Sequence, residues 1–392
     1  MRHDNDVVIT GIGLLSSLGE GADAHWEALE AGRPRIDTEG FAPFTVHPLA
    51  PTDFDRLIPK RSDQRQMEPW QRIGTYAAGL ALEDAGIRGQ ADILKNVDML
   101  VAAGGGERDT TVDGAILTDL RTAEEPGRLL NERLMSDLRP TLSLAQLSNL
   151  LAGNISIVHG VTGSSRTFMG EEMAGVDALR IAAARIAAGQ SEIGLVGSAY
   201  NGERKDILLQ FAFGKRLMHG PHRPVWERTG ATAGLALASI GAFVVLESRQ
   251  HAQARGARIY ARLTKVVAES SPAGEDAFNT GVDRFLADQN VMKGVGAAVI
   301  SGATGVQPAS AQERDTLRAV FPGVPVRATG TMLGHGVEAQ FPLNVALAAL
   351  AVLRGTLWAD ANEAQTSKHI TQVLVTTHGQ RRGVGLALVE AN

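Results

Sequence analysis

Short apolar segments of strand length recur along the whole chain. Several are continuous rather than alternating, as expected for strands that are buried on both faces. They are Val7–Thr10, Met99–Ala102, Ile193–Val196, Ala242–Leu246, Ala297–Ile300, Val373–Thr376 and Val384–Val389. Helical stretches lie between them and end at glycine, as 24–31 does before Gly32 and 76–85 before Gly86. The alternation of strand and helix predicts a layered α/β fold.

Two longer apolar helices are predicted, one in each half of the chain. The first runs from about 171–189 and is apolar on nearly every side, so we expect it to be buried. The second runs from about 336–353 and contains Pro342, which we place near its first turn because proline disrupts helix interiors. A buried helix in each half predicts a duplicated architecture, which we divide into residues 1–250 and 251–392.

Composition narrows the class of protein. The chain has 392 residues and a net charge of −5, which argues against a nucleic-acid-binding surface. No continuous apolar run reaches the length of about 18 residues that a membrane span needs, and no signal-peptide pattern is present, so we expect a cytoplasmic protein. The absence of cysteine excludes disulfides, thiolate metal sites and thiol nucleophiles. We predict no cofactor. We also predict no metal site, because His219 and His222 lack further ligands at a suitable spacing.

The order and spacing of several segments carry a family resemblance. These segments are Val7–Gly13, Leu82–Gly86, Leu151–Ile157, Gly189–Gly197, Arg223–Pro224 and Val244–Glu247. Together they resemble the β-ketoacyl-acyl-carrier-protein synthases over essentially the whole chain. The resemblance implies a thiolase-like, duplicated five-layered α-β-α-β-α architecture. It also implies a dimer, an acyl carrier protein as partner, and a place in fatty-acid or polyketide-type acyl-chain synthesis.

The nucleophilic cysteine of that family corresponds to Glu172. In the family this cysteine lies in a Thr-Ala-Cys-Ala-Thr-Gly-like turn that opens the first buried helix, and the spacing from Gly163 and Gly175 places Glu172 there. A helix N-terminus favours negative charge, so a carboxylate fits the position. Glutamate is nevertheless a poor substitute for a thiol, because a mixed anhydride is high in energy and prone to hydrolysis.

The other catalytic positions of the family are partly replaced. The Asn-Ala-His-Gly-Thr loop corresponds to residues 301–305, in which the histidine is Ala303. In the Ser-Thr-Lys-Ser-x-x-Gly-His run, the lysine is Gly330 and the second histidine remains as His335. The gating loop, residues 377–383, lacks both phenylalanines of the family. Loss of a single oxyanion donor typically costs about 10²–10³ in rate, so we expect the combined losses to abolish condensation.

Several residue roles stay open. Glu172 either fills the old site, caps its helix or meets a basic group across a subunit interface. His335 is either a remaining oxyanion donor or a core histidine, and the replacement of its family neighbours favours the core role. A basic cluster either docks an acidic carrier protein or forms an ordinary solvated face. The cluster consists of Lys60, Arg61, Arg65 and Arg72.

These replacements lead to three hypotheses about function. The first, which the sequence favours, is a non-condensing homologue that forms a heterodimer with an intact ketosynthase, similar to a chain length factor. The second is an enzyme that decarboxylates malonyl carrier protein or hydrolyses acyl thioesters through Glu172 and His335. The third is a homodimeric module that binds acyl carrier protein without catalysis. Whether the chain is an enzyme is therefore open.

Overall fold

A computed structural model describes residues 5–138, 142, 146–272, 277–287, 292, 296–359 and 367–392. Within these residues, ten strands form one continuous hydrogen-bonded path. They are β1 (Val7–Ser16), β2 (Asp98–Ala102), β3 (Ser165–Phe168), β4 (Ile193–Tyr200), β5 (Ile240–Ser248), β6 (Ala261–Pro272), β7 (Ala297–Ser301), β8 (Val326–Ala328), β9 (Gln372–His378) and β10 (Arg382–Glu390). Two-residue strands are Gly19–Glu20, Val46–His47, Leu237–Ala238, Thr356–Leu357 and Ser367–Lys368.

The ten strands fall into two repeats with the same topology. The order across the first repeat is β3-β2-β4-β5-β1, and across the second it is β8-β7-β9-β10-β6. In each repeat the first three strands of that order are parallel and the remaining pairs are antiparallel. A short antiparallel pairing of β1 with β6 joins the repeats. The predicted duplication is confirmed, whereas the division into residues 1–250 and 251–392 stays a prediction.

Helices form the remaining layers. They are α1 (Gly21–Ala31), α2 (Arg61–Gln66), α3 (Pro69–Asp84), α4 (Ala91–Leu94), α5 (Thr110–Leu120), α6 (Pro126–Ser136), α7 (Leu150–His159), α8 (Glu172–Ala187), α9 (Lys205–Phe213), α10 (Arg249–Ala254), α11 (Ala277–Leu286), α12 (Ala309–Val320), α13 (Gly330–Leu333) and α14 (Gln340–Arg354). Helices α8 and α14 contact each other and strands of both repeats, so they form the central layer. The first repeat is covered outside by α3 and α7, and the second by α11 and α12. This is the five-layered α-β-α-β-α architecture that the resemblance implied.

The local signals for helix ends are confirmed. Helix α1 ends at Ala31, directly before Gly32, and α3 ends at Asp84, two residues before Gly86. Both glycines have the left-handed backbone that these ends require. Pro342 lies in the first turn of α14, where its missing N–H is tolerated. Helix α14 begins at Gln340, later than predicted, because Val337–Ala339 form a separate 3-10 turn.

The central helix α14 is almost wholly buried. Together with the preceding turn it forms a segment, Val337–Arg354, that is long and apolar enough to cross a membrane by length and composition. However, 89% of this segment is buried inside the fold. The sequence prediction counted only continuous apolar runs and therefore did not include the segment Val337–Arg354, in which Gln340 and Asn344 interrupt the apolar residues. A helix packed between two sheets needs such an apolar surface all round.

Candidate functional site

The turn between β3 and α8 places Glu172 at the start of the central helix. Gly170 has φ of 138° and Glu171 has φ of 56°, values that residues with a side chain rarely adopt. Glu172 is the first helical residue, and only 2% of its side chain is exposed. The positive end of the helix dipole therefore faces its carboxylate.

Glu172 and His335 form a buried pair. Nε2 of His335 lies 2.8 Å from Oε1 of Glu172. The other carboxylate oxygen, Oε2, accepts a hydrogen bond from the backbone N–H of Gln380 at 3.2 Å. The backbone of His335 is fixed in turn by hydrogen bonds to Ala236 and Ala238. His335 is therefore buried and hydrogen-bonded, and the choice between a core histidine and a remaining oxyanion donor stays a prediction.

These contacts set the ionisation of Glu172. Burial raises the pKa of its carboxyl group, but the hydrogen bond and charge of His335, together with backbone N–H groups, outweigh burial and lower the pKa overall. Burial and the charge of Glu172 raise the pKa of the neighbouring Glu171. Nε of Arg381 lies 3.2 Å from Oε1 of Glu171, and its charge lowers this pKa by a smaller amount. Glu172 is therefore a fixed negative charge with both oxygens engaged.

Ala303 and Gly330 lie beside each other in a packed corner. A Cβ atom placed on Gly330 would lie 2.9 Å from the carbonyl oxygen of Ala303 and 3.1 Å from a methyl group of Val225. Ala303 and Val225 belong to the same small apolar cluster. The two positions that the sequence analysis aligned with the family's first histidine and lysine are therefore tightly packed and offer no side-chain donor.

The loop between β9 and β10 brings the four predicted positions into one region. The backbone N–H of Gln380 contacts Glu172, and its side-chain Nε2 donates to Oγ1 of Thr304 at 3.0 Å. Thr304 directly follows Ala303. This role of Gln380 could not be predicted from the sequence, because the contact with Glu172 uses the main chain and carries no signal in residue type.

A buried arginine ties together the loops that carry Ala303 and Gly330. The guanidinium of Arg228 donates to the carbonyl oxygens of Thr304 at 3.1 Å and Gly330 at 3.2 Å. Its Nε also donates to the carbonyl oxygen of Arg223 at 2.9 Å. Burial lowers the pKa of Arg228 to about 10, so it remains charged at neutral pH. Arg228 therefore positions the backbone of both loops, and no sequence pattern pointed to this residue.

The two histidines of the 219–222 loop point to different neighbours. The ring of His219 packs against Phe44, and the ring of His222 packs against His47. Across the residues that the structure describes, no group of three or more histidine, cysteine, aspartate or glutamate side chains could hold a metal ion.

A cavity of about 360 Å³ lies beside the start of α8. Its lining includes Trp70, Glu171, Tyr200, Arg204, Phe211 and Glu338. Glu338 comes close to α8 because Gly175 has no side chain, and a Cβ atom there would lie 2.4 Å from the Glu338 carbonyl oxygen. Burial, with the charges of Glu172 and Glu171, raises the pKa of Glu338 to about 7. No sequence pattern pointed to this carboxyl group, which lies three residues after His335.

The fold and the site together define the class of protein. Two repeats of one topology enclose the central helices α8 and α14. At the start of α8 lie the loops that the sequence analysis aligned with the nucleophile, histidine and lysine positions of ketosynthases. The sequence profile of the β-ketoacyl synthase N-terminal domain matches residues 4–252. The chain therefore belongs to the β-ketoacyl synthase family.

Individual relatives agree with this assignment. The 3-oxoacyl-[acyl-carrier-protein] synthase 2 of Vibrio cholerae is 26% identical over 268 residues, and the match spans 66% of this chain and only 61% of that protein. The tetracenomycin polyketide synthase ketoacyl synthase beta subunit of Streptomyces glaucescens is 26% identical over 374 residues, spanning 88% of this chain and 85% of that protein. The solved structure of the ishigamide ketosynthase/chain length factor superposes with a TM-score of 0.81 at 22% identity and covers 99% of both chains, which shows the common fold.

Proposed function

We propose that this chain is a non-condensing partner subunit of an intact ketosynthase, with a role similar to that of a chain length factor. The observation that carries the proposal is the Glu172 carboxylate, whose oxygens contact His335 and Gln380 at the position that the sequence analysis aligned with the family's nucleophile. Two similarities support the proposal. The ishigamide ketosynthase/chain length factor has the same fold, and one relative is the ketoacyl synthase beta subunit of the tetracenomycin polyketide synthase. The heterodimer of this chain and the intact ketosynthase would act with an acyl carrier protein in fatty-acid or polyketide-type synthesis. The cytoplasmic location stays a prediction.

The edge strand β3 provides a surface for such a partner. Among the described residues β3 pairs with β2 alone, and the carbonyl group of Phe168 accepts a hydrogen bond from that side. Backbone groups alternate in direction along a strand, so those of Thr167 face the open edge. Met169, just after β3, is 66% exposed, and Ile157 on the adjoining α7 is 70% exposed. An open edge beside exposed apolar side chains favours pairing with a second chain of this fold.

The basic cluster provides a surface for the carrier protein. Arg61, Arg65 and Arg72 line a surface depression of about 480 Å³ at the start of α3. The side chain of Arg61 is 81% exposed and lies 3.8 Å from Asp55, so its charge stays accessible to a partner. Exposed positive charge on this face would attract an acidic carrier protein and increase its rate of association. We therefore assign carrier docking to this cluster.

Co-expression with an intact ketosynthase should give a heterodimer that changes the length of the product. Thr167→Pro should weaken this dimer by at least about tenfold, because proline removes an N–H from the open edge of β3 while leaving the β2–β3 hydrogen bonds intact. Native mass spectrometry measures the assembly, and product analysis measures the chain length. Thr167→Val keeps the N–H group and the β-branched shape, so it should pair as the native chain does.

Two outcomes would contradict this proposal. A chain that binds no candidate synthase and leaves product length unchanged has no role as a partner subunit. A stable homodimer that ignores intact synthases would support the homodimeric carrier-binding module instead.

The buried Glu172–His335 pair also suggests a second candidate function. An acid–base pair at 2.8 Å resembles the arrangement that a decarboxylase or thioester hydrolase needs. We expect no release of carbon dioxide from malonyl carrier protein beyond that of Glu172→Ala, because both oxygens of Glu172 are engaged and buried. An assay with labelled malonyl carrier protein measures the rate. Activity in the native chain that disappears in a correctly folded Glu172→Ala variant would establish the enzyme instead.

A further inference from the structure

Three carboxyl groups lie together where the two central helices begin. Glu171 and Glu172 lie at the start of α8, and Glu338 lies on the 3-10 turn that precedes α14. The imidazole of His335 pairs with Glu172, and Nε of Arg381 lies 3.2 Å from Oε1 of Glu171. Within the described residues, Oε2 of the third carboxyl group, that of Glu338, has no hydrogen-bond partner.

The position of Glu338 opposes its ionisation. Its side chain is buried, with the residue only 4% exposed, and two like charges in one buried site destabilise each other. Burial raises the pKa of Glu338 to about 7, and the charges of Glu172 and Glu171 act in the same direction. Glu172 stays ionised, because the contact with His335 outweighs burial and lowers its pKa. Glu338 therefore gains and loses its proton near neutral pH.

The remaining charged or titratable groups that line the adjoining cavity are engaged or neutral. The guanidinium of Arg204 lies 2.6 Å from Asp206, and that of Arg108 lies 2.7 Å from Asp113. Burial raises the pKa of Tyr200 well above that of a free phenol, so its hydroxyl group carries no charge. Neither arginine is therefore available to the third carboxyl group.

The carboxyl group of Glu338 contacts a glycine turn that leads to the edge of the sheet. A Cβ atom placed on Gly104 would lie 2.7 Å from Oε1 of Glu338, so the carboxyl group packs directly on this backbone. The carbonyl oxygen of Gly104 accepts a hydrogen bond from Ser148 at 2.6 Å. The preceding residue, Ala103, donates its N–H to the carbonyl oxygen of Phe168, the last residue of β3, at 3.0 Å. A movement of Glu338 would therefore reach the end of β3 through two consecutive residues.

We propose that Glu338 is a proton-operated switch for the turn formed by residues 104–106. In the neutral form, its carboxyl group packs on Gly104 and holds the turn in place. Loss of the proton to solvent puts a second negative charge beside Glu172, and the carboxylate then rotates away from Gly104 into the cavity. The turn and the end of β3 become free to move.

This inference goes beyond the proposed function and meets it only at the edge of β3. That edge is the proposed surface for a partner synthase, and a strand end that is held in place pairs at a lower entropic cost. Pairing should therefore be tighter at pH 6, where Glu338 is mainly neutral, than at pH 8.

Hydrogen exchange of the full chain at pH 6 and pH 8 tests the switch. A group with a pKa of about 7 is roughly 10% ionised at pH 6 and roughly 90% ionised at pH 8. Exchange in residues 103–106, corrected for the intrinsic effect of pH, should therefore rise about ninefold. Glu338→Gln stays neutral, so its corrected exchange should remain at the native pH 6 rate. Glu27→Gln, a change at an exposed glutamate of α1, is the matched control and should keep the rise.

Thermal stability provides a second measurement. The pKa of Glu338 is raised in the fold from 4.5, so the stability that its neutral form contributes is fully present below that value. This stability is lost as the pH rises through about 7. The melting temperature of the native chain should therefore fall relative to that of Glu338→Gln between pH 5 and pH 8. A side chain that only fills space would leave this difference constant.

Three results would overturn the proposal. Corrected exchange of residues 103–106 that is equal at pH 6 and pH 8 would show that the turn does not respond. The same rise in Glu338→Gln would assign the response to another group, and a constant difference in melting temperature would show that Glu338 does not titrate. A chain that pairs with a synthase without any such response refutes the switch alone. A chain whose turn responds but that pairs with no synthase refutes the proposed partner function instead.

Discussion

Replacing His335 by alanine should lower the free energy of unfolding by about 3–5 kcal/mol at neutral pH. The change leaves the Glu172 carboxylate buried without its ring partner, and removing one member of a buried pair typically has this cost. Backbone N–H groups, including that of Gln380 at 3.2 Å, remain but do not replace the lost contact. Chemical denaturation followed by circular dichroism measures the change.

Glu172→Gln provides the control for this prediction. An amide carries no charge, so His335→Ala combined with Glu172→Gln should recover most of the lost stability. Non-additivity between the two single changes would give the coupling of the pair directly. A loss below about 1 kcal/mol in His335→Ala would contradict the assignment, because that is the range of a solvent-exposed ion pair.

The loss of stability in His335→Ala should depend on pH. The pKa of Glu172 is lowered in the fold from an ordinary value of 4.5. Stability from its ionised form is therefore fully present above that value and is lost as pH falls through the lower folded pKa. The unfolding free energies of the native chain and His335→Ala should converge in acid and separate as the pH rises toward neutral.

Arg228→Met should also lower the free energy of unfolding by about 3–5 kcal/mol. The guanidinium satisfies the carbonyl oxygens of Thr304 and Gly330, and methionine fills a similar volume without any donor. Urea denaturation measures the loss, and hydrogen exchange should report faster opening of the two loops. Arg223→Met is the matched control, because that exposed side chain should change stability by no more than about 0.5 kcal/mol. Equal losses in the two variants would rule out a positioning role for Arg228.

Much of the fold could be predicted because buried strands and helix ends require particular residue types at particular positions in the sequence. Strands covered on both faces need continuous apolar runs, so β4 and β5 could be located from the order of apolar residues along the chain. Helix ends that require a left-handed backbone need glycine, as at Gly32 and Gly86. The spacing of the family's glycines likewise placed Glu172 at a helix start, which the structure has as the first residue of α8.

The contacts within the site could not be predicted in the same way. Glu172 and His335 are 163 positions apart, and only the packing of two repeats brings them together. The hydrogen bond from Gln380 uses a backbone N–H that every residue except proline possesses. The environment of Glu338 depends on a close approach at Gly175, which is a property of the assembled layers rather than of any local pattern.

The replacement of the family's cysteine by Glu172, together with the absence of cysteine elsewhere, leaves this chain without a thiol. The chain contains no cysteine, so a reagent used under thiol-selective conditions finds no thiol to modify in it. In a mixture of homodimers and heterodimers, iodoacetamide would react only with the intact synthase. The ratio of incorporated label to total protein would then count how many positions in the assemblies this chain occupies, without any tag or antibody.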